Sequence, residues 1–147
     1  MMQGAWALPF SEAHRSLLAA EVELIEKTGG SAALLIGEAV AGTDGRSLKE
    51  RFRADRAREY DEFAERANAL LAEIAKETRA RKFTFAEFEE VEDDFRKLQS
   101  WLVKIAARDF FPDKRRADAR NRLRRCETAL HDFAQKVYRA DGATATE

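Results

Sequence analysis

The last two thirds of the chain carry hydrophobic residues at intervals of mostly three and four. This spacing places them on one stripe of a helix and favours a supercoiled seam between packed helices. Three such stripes follow one another: Phe52, Tyr60, Phe63, Ala67, Leu70 and Ile74; Phe88, Val91, Phe95, Leu98, Leu102 and Ile105; and Ala119, Leu123, Cys126, Leu130, Phe133 and Val137. The connections at residues 78–84 and 111–113 are short, which forces neighbouring helices to run antiparallel. The pattern predicts an antiparallel three-helix bundle over residues 46–141, with a frayed polar tail at residues 142–147.

The first 45 residues follow a different pattern, in which two short apolar runs flank one helical stretch. The runs are residues 5–8, which end at a proline that cannot donate to a β-ladder, and residues 31–36. Between them, Ser11 is a candidate N-cap, and the glycine pair at residues 29–30 ends the helix. We therefore predict a small β-α-β unit with two parallel strands over residues 1–45. The predicted fold class is α+β, mostly α, in one compact domain overall.

Composition narrows the class of protein further. The chain has 147 residues, of which 45% are hydrophobic and 36% charged, and only 7 are Gly and 2 are Pro. So few turn formers argue against an all-β sandwich. A lone Cys excludes an intramolecular disulfide and fits a reducing compartment. Because no apolar run is long enough to span a bilayer or to form a signal peptide, we expect a cytoplasmic protein with no membrane partner.

Charge is unevenly distributed along the chain. In total, 26 Lys and Arg nearly balance 27 Asp and Glu. Residues 1–45, however, hold 2 basic and 6 acidic side chains, so that the remainder is net basic. A turn-forming cluster at residues 41–45 lies where the composition shifts, and we interpret it as the joint between two unlike halves.

The strongest local charge lies at residues 113–125, with 7 basic and 2 acidic side chains. Arg116, Arg120 and Arg124 are spaced four apart and form one ridge on a helix, a shape suited to the phosphates of DNA. The alternative interpretation is a solvated face that pairs with the acidic residues 87–94 of the preceding helix. Three further basic residues project to the opposite flank of the apolar stripe, namely Lys114, Arg122 and Arg125.

Two charged residues fall on stripes that should be apolar. Arg56 lies between Phe52 and Phe63, and Asp109 continues its seam one turn past the last apolar residue. Arg115 falls at the edge of the next stripe. We therefore predict a partly buried Arg56–Asp109 ion pair with Arg115 beside it, since a buried charge needs a partner. Its role is either to set helix register or to bind an anion, because two arginines around one aspartate leave a net positive charge.

Residues that would carry catalysis or hold a metal are missing from the pattern. The chain shows no nucleophile–base pair, no glycine-rich phosphate loop and no ligand cluster with metal spacing. Glu87, Glu90 and Asp94 share a helix face, but no histidine or facing cluster joins them. We expect no enzymatic activity, no metal and no cofactor.

Four short motifs together resemble the N-terminal domain of the chromate-resistance regulator family ChrB. They are residues 4–9 (GAWALP), the glycine pair at 29–30 before an apolar run, Glu59-Tyr60, and residues 105–111 (IAARDFF). Their order and spacing agree over about residues 4–135. The resemblance implies a bacterial cytoplasmic protein linked to chromate resistance. Its regulators bind DNA upstream of the resistance operon and respond to chromate, and Asp109-Phe110-Phe111 corresponds to the family's Asp-Phe-Phe motif.

The chain departs from this family at both ends. Members usually begin earlier, with a strand and an arginine-rich helix, and a C-terminal domain often follows. In a ferredoxin-like arrangement the missing strand would lie between the two that remain. The two predicted strands must then pair directly or accept a strand from a second copy, which predicts a homodimer.

Three functions follow as expectations from these features. The first is a ChrB-like DNA-binding regulator that uses Arg116, Arg120 and Arg124 on phosphates. The second is a non-catalytic dimerisation or protein-interaction module. The third is a sensor of chromate or another oxyanion, with Arg56, Asp109 and Arg115 around the anion.

Overall fold

The computed structural model describes residues 4–38 and 45–144 of the chain. Their helices are α1 (Glu12–Lys27), α2 (Gly45–Ala80), α3 (Phe85–Arg108) and α4 (Lys114–Thr144). The chain divides into two compact units, Met1–Arg46 and Ser47–Glu147. Most of the predicted turn cluster, residues 41–44, lies outside the described residues, and Gly45 already begins α2. At the other end, residues 142–144 belong to α4, whereas the prediction placed them in the tail.

The predicted β-α-β unit in the first part of the chain is wrong. Within residues 4–38 there is no strand, and the runs at 5–8 and 31–36 are irregular segments on either side of α1. The described residues are therefore all-helical in class, with neither an α+β nor a ferredoxin-like sheet. Two short strands with one helix are a poor sheet, because they bury little apolar surface and leave most ladder groups unpaired. An apolar run of strand length becomes a strand only where a neighbour completes its hydrogen bonds.

Helix α1 itself begins and ends where the sequence predicts. The Ser11 hydroxyl accepts from the backbone N–H of His14 at 3.0 Å, which caps the first turn. Gly29 adopts φ +83° after the last turn, and the Gly30 N–H donates to the Ile25 carbonyl at 2.9 Å. This is a Schellman ending, in which glycine takes the left-handed conformation at no steric cost. No residue of α1 is buried, and the described residues 4–38, taken by themselves, form no core.

Helices α2, α3 and α4 form the second unit and contain the hydrophobic core. The three predicted stripes are confirmed, because 15 of their 18 members are the buried hydrophobic residues of this unit. The remaining three, Phe52, Phe88 and Leu123, are half-buried. The packing of α2 against α4 is close enough for the Cys126 thiol to donate to the Ala67 carbonyl at 3.5 Å.

The direction of each helix decides which residues share an end of the bundle. Tyr60 of α2 contacts Asp109 at the end of α3, and Phe85 at the start of α3 contacts Tyr138 of α4. These contacts show that α2 and α4 run in one direction and α3 in the opposite direction. The first residues of α2 and α4 therefore lie together with the last residues of α3. We call this the basic end, and we call the opposite end, where α3 begins, the acidic end.

The turn from α2 to α3 also follows the Schellman pattern, but without glycine. The Lys82 N–H donates to the Glu77 carbonyl at 3.1 Å, and the Arg81 N–H donates to the Thr78 carbonyl at 3.2 Å. Arg81 therefore adopts φ +54°, which is unfavourable for a residue with a Cβ. None of the helices in the described residues is long and apolar enough to cross a membrane.

Replacing Arg81 with glycine should stabilise the bundle. We expect the free energy of unfolding of Arg81→Gly to rise by about 0.5–1 kcal/mol, because glycine relieves the left-handed strain but adds entropy to the unfolded chain. Urea unfolding followed by circular dichroism measures this change. Arg81→Ala is the control, since it removes the charge and keeps the Cβ. An equal gain in both variants would contradict the explanation.

Candidate nucleic-acid interface

Asp109 ends α3 and links the three helices at the basic end. It is the C-cap residue of α3, with φ −88° and ψ +83°, and its backbone turns the chain into the short connection to α4. Its side chain is buried, and Oδ2 accepts a hydrogen bond from the Tyr60 hydroxyl at 2.8 Å. A carboxylate buried at a helix end is thereby satisfied by a side chain from another helix.

Tyr60 is held in its neutral, hydrogen-bonded form. Burial raises the pKa of Tyr60 well above its ordinary value, and the hydrogen bond and negative charge of Asp109 raise it further. Arg116 and Arg120 act in the opposite direction, because their positive charges favour the phenolate. Two members of the predicted DNA-contacting ridge therefore lie within electrostatic reach of this buried hydrogen bond.

Sequence reasoning missed Tyr60 as the partner of Asp109. Tyr60 lies on the apolar stripe of α2, so its ring was assigned to the core, where it indeed packs. The signal that could have identified it is chemical, since a buried tyrosine hydroxyl usually needs a hydrogen-bond partner. Asp109 is the buried acid one turn beyond the opposing seam.

The three residues predicted to form a charged cluster share one crevice, but each has another partner. Arg56 Nε lies 3.2 Å from Glu59 Oε2, one turn along the same helix. The backbone N–H and the guanidinium of Arg115 donate to Asp113, at 2.9 and 2.8 Å. Because Tyr60 takes the Asp109 carboxylate, the predicted direct ion pair between Arg56 and Asp109 is not formed in this structure.

The crevice between these residues is too small for a tetrahedral anion. Its volume of about 10 Å³ corresponds to roughly one water molecule. The lining residues come from α2, from the connection between α3 and α4, and from the first turn of α4: Arg53, Arg56, Ala57, Tyr60, Asp109, Phe111, Asp113 and Arg115. An anion of four oxygens would require these side chains to move apart.

The arginine ridge of Arg116, Arg120 and Arg124 runs along α4 from this crevice. Arg116 is half-buried, and its Nε is enclosed with no hydrogen-bond partner among the described residues, whereas Arg120 and Arg124 are exposed. The Arg124 guanidinium donates to the Asn121 side chain. Of the 7 basic residues in the segment, Arg115 alone forms an ion pair within the described parts of the chain.

The acidic segment, residues 87–94 of α3, does not neutralise this ridge. Phe85 and Phe88 contact Tyr138, which places the acidic segment beside the last turns of α4. Along α4, Arg120 and Tyr138 are about 27 Å apart. The acidic segment pairs locally instead, through Glu87 with Lys82, Glu92 with Arg96, and Asp94 with Lys97. The half of α3 that packs near the ridge, residues 98–107, contains one charged residue, Lys104.

The other polar candidates have structural partners. His14 Nδ1 lies 2.7 Å from the Pro9 carbonyl, and His131 Nε2 lies 3.0 Å from the Gln135 amide. Burial raises the pKa of the Cys126 thiol, which disfavours a reactive thiolate. Across residues 4–38 and 45–144, no group of three or more His, Cys, Asp or Glu is arranged to hold a metal ion.

The chain is similar to a known protein family. A family model described as "Protein ChrB, N-terminal" matches residues 1–144 of the 147-residue chain. No curated protein and no solved structure matches.

Removing the hydroxyl of Tyr60 should destabilise the bundle. In Tyr60→Phe the buried Asp109 carboxylate loses its donor, so we expect the free energy of unfolding to fall by about 1–3 kcal/mol in urea unfolding at neutral pH. Tyr138→Phe is the matched control. Tyr138 is 61% exposed, so water reaches its hydroxyl, and removing that hydroxyl should change the free energy of unfolding little. A loss in Tyr60→Phe no larger than in the control would contradict the assigned role.

The same hydrogen bond predicts that the stability of the bundle falls at alkaline pH. Because the pKa of Tyr60 is raised in the folded state, its stabilising contribution is complete below the unfolded value of about 10 and is lost as the pH rises beyond it. In Tyr138→Phe, Tyr60 is the remaining tyrosine of the chain. Tyrosinate absorbance should therefore appear together with the loss of helical circular dichroism. Ionisation near pH 10 in a fully folded chain would contradict this.

Proposed function

The chain belongs to the ChrB N-terminal family, and from this premise we propose that it is a non-catalytic, chromate-resistance regulatory protein that binds DNA through Arg116, Arg120 and Arg124. The supporting observation is the separation of charge along the bundle. Antiparallel packing places residues 98–107 of α3, with one charged residue, at the level of the ridge and the acidic segment towards the other end, and within the described residues none of the three ridge arginines forms an ion pair. The ridge therefore keeps its positive charge available for a polyanion.

The dimensions of the ridge suit a DNA backbone. Its three arginines span eight residues of α4, or about 12 Å, a length equal to three to four base-pair steps of about 3.4 Å along the duplex axis. Arg116 is the half-buried end of this row, held near Tyr60, and Arg120 and Arg124 are its exposed contacts. A helix start also carries a partial positive charge, which adds to the attraction near Arg116.

Reversing the charge of the exposed contacts should abolish this binding. We expect Arg120→Glu with Arg124→Glu to weaken binding to the chain's own upstream DNA by at least tenfold, in a gel shift at two salt concentrations. The wild type should show strong salt dependence, and the variant should lose about two units of the slope of log affinity against log salt concentration.

The control for this experiment lies on the same helix. Arg122→Glu with Arg125→Glu makes the same change in net charge on the flank where Arg122 donates to Asn68 of α2. This variant should keep more DNA affinity than the ridge variant, after circular dichroism has shown that both are folded. DNA binding that is insensitive to salt, or unaffected by the ridge variant, would overturn the proposal.

As a second function, we propose that the chain assembles as a homodimer through its first unit. The observation in favour is that residues 4–38 contain no buried side chain, while Trp6, Phe10, Leu17 and Leu35 are exposed by more than half of their surface. Apolar side chains of this size gain free energy when a partner covers them. A second copy presents the same apolar set, and a two-fold axis would bring the two sets together.

Dimerisation is tested by light scattering over a range of protein concentrations. We expect a dimeric mass at high concentration, and a shift towards monomer in Trp6→Asp with Leu35→Asp. Ala33→Asp with Glu38→Ala serves as a control that alters polarity in the same region with no large apolar side chain removed. A monomer at every concentration would contradict the proposal.

Oxyanion sensing at Arg56, Asp109 and Arg115 stays a prediction. The crevice that these residues share admits about one water molecule, and each residue already has a partner. No geometric observation favours this function over DNA binding.

A further inference from the structure

A second group of basic side chains lies at the basic end, on α2. Arg53 lines the crevice together with Arg115 of α4, so the two helices present arginines to the same space. Lys49 precedes Arg53 by one helical turn and lies on the same face of α2. Its Nζ lies 5.3 Å from the centre of the Phe111 ring, a cation–π contact that orients the ammonium group over the connection to α4.

Three acidic residues near Lys49 and Arg53 are paired with other groups, which leaves the two cations available to a ligand. Asp109 is buried and accepts from Tyr60, Asp113 is bound by Arg115, and Asp55 pairs with Arg58. Neither Lys49 nor Arg53 forms an ion pair in the described residues, and both side chains are exposed. The charge of Arg53 reaches Asp113, whose pKa is lowered first by the Arg115 backbone N–H and in smaller part by Arg53.

The first turn of α4 lies between the arginine ridge and the pair formed by Lys49 and Arg53. Arg115 faces the crevice, and the next residue, Arg116, begins the ridge. Because α2 and α4 run parallel, both helices direct their amino-terminal, electropositive ends towards the basic end. Cations separated by more than sixty positions in the sequence thus lie on one end of the bundle.

We infer that Lys49 and Arg53 form a second phosphate-contacting arm, so that the DNA surface is built from α2 and α4 rather than from α4 alone. The inference rests on the proposed DNA binding and names further residues for it. A duplex carries phosphates on two strands across each groove, so one arm can engage each strand. The crevice is too small to enclose a phosphate, and the contact is therefore made by its exposed rim.

The test removes the charge of this arm without touching the ridge. Fluorescence anisotropy of the full chain with its upstream DNA, over a series of salt concentrations, compares the wild type with Lys49→Gln/Arg53→Gln. We expect the salt slope to fall by about two units and the affinity near 0.1 M salt to fall by roughly tenfold or more, as for the loss of two phosphate contacts.

The matched control is Arg79→Gln/Arg139→Gln at the acidic end. Both residues are exposed, neither forms an ion pair in the described residues, and the change in net charge is the same. The control should retain the wild-type slope. An equal loss in the control would overturn the inference, because net charge alone would then explain the effect.

The two proposals fail in distinguishable ways. If Arg120→Gln/Arg124→Gln loses affinity while Lys49→Gln/Arg53→Gln keeps the wild-type slope, the second arm is overturned and the ridge stands. If the wild type shows no salt-dependent DNA binding, both are overturned. Loss of slope in both pairs, with the control unchanged, supports the two-helix surface.

Discussion

The buried hydrogen bond from Tyr60 to Asp109 is the contact on which the basic end of the bundle depends. Its acceptor is the C-cap residue of α3, so the contact ties the end of α3 to α2. Phe110 and Phe111, directly after Asp109, pack their rings against Phe52 of α2. One polar contact and two aromatic contacts therefore hold the α3–α4 connection against α2, in agreement with the motif that suggested the family.

Polar residues are buried at both ends of the core, and each is satisfied differently. At the basic end, Asp109 meets a neutral hydroxyl. At the acidic end, Glu77 is almost fully buried and meets the cations of Lys76 and Lys82. Between them the core is apolar, and its stability comes from burial of hydrocarbon and close packing. The contact from Tyr60 to Asp109 adds register, because it joins α2 to the end of α3, whereas the Glu77 contacts are local in the sequence.

Charge separation along the bundle connects this packing to the proposed function. The net charge of the chain is near zero, yet the structure places at one end arginines that form no ion pair within the described residues, and locally paired carboxylates towards the other. A helix between the two parallel ones must run in the opposite direction, which carries its acidic start away from the arginines. Electrostatic attraction of a polyanion depends on this local excess rather than on the total charge.

The sequence by itself determined the long helices, the start and end of α1, and the buried stripes, because helical periodicity and capping are local properties. It also brought Arg56, Asp109 and Arg115 to the same region. The tertiary structure decided that the Asp109 carboxylate accepts from Tyr60 of α2, whereas Arg56 pairs within its own helix with Glu59. It likewise determined the conformation of residues 5–8 and 31–36. Their apolar character suits a strand, but they form none because no neighbouring strand among the described residues pairs with them. Strand pairing and the choice of a hydrogen-bond donor for Asp109 depend on residues distant in the sequence, and only packing brings these together.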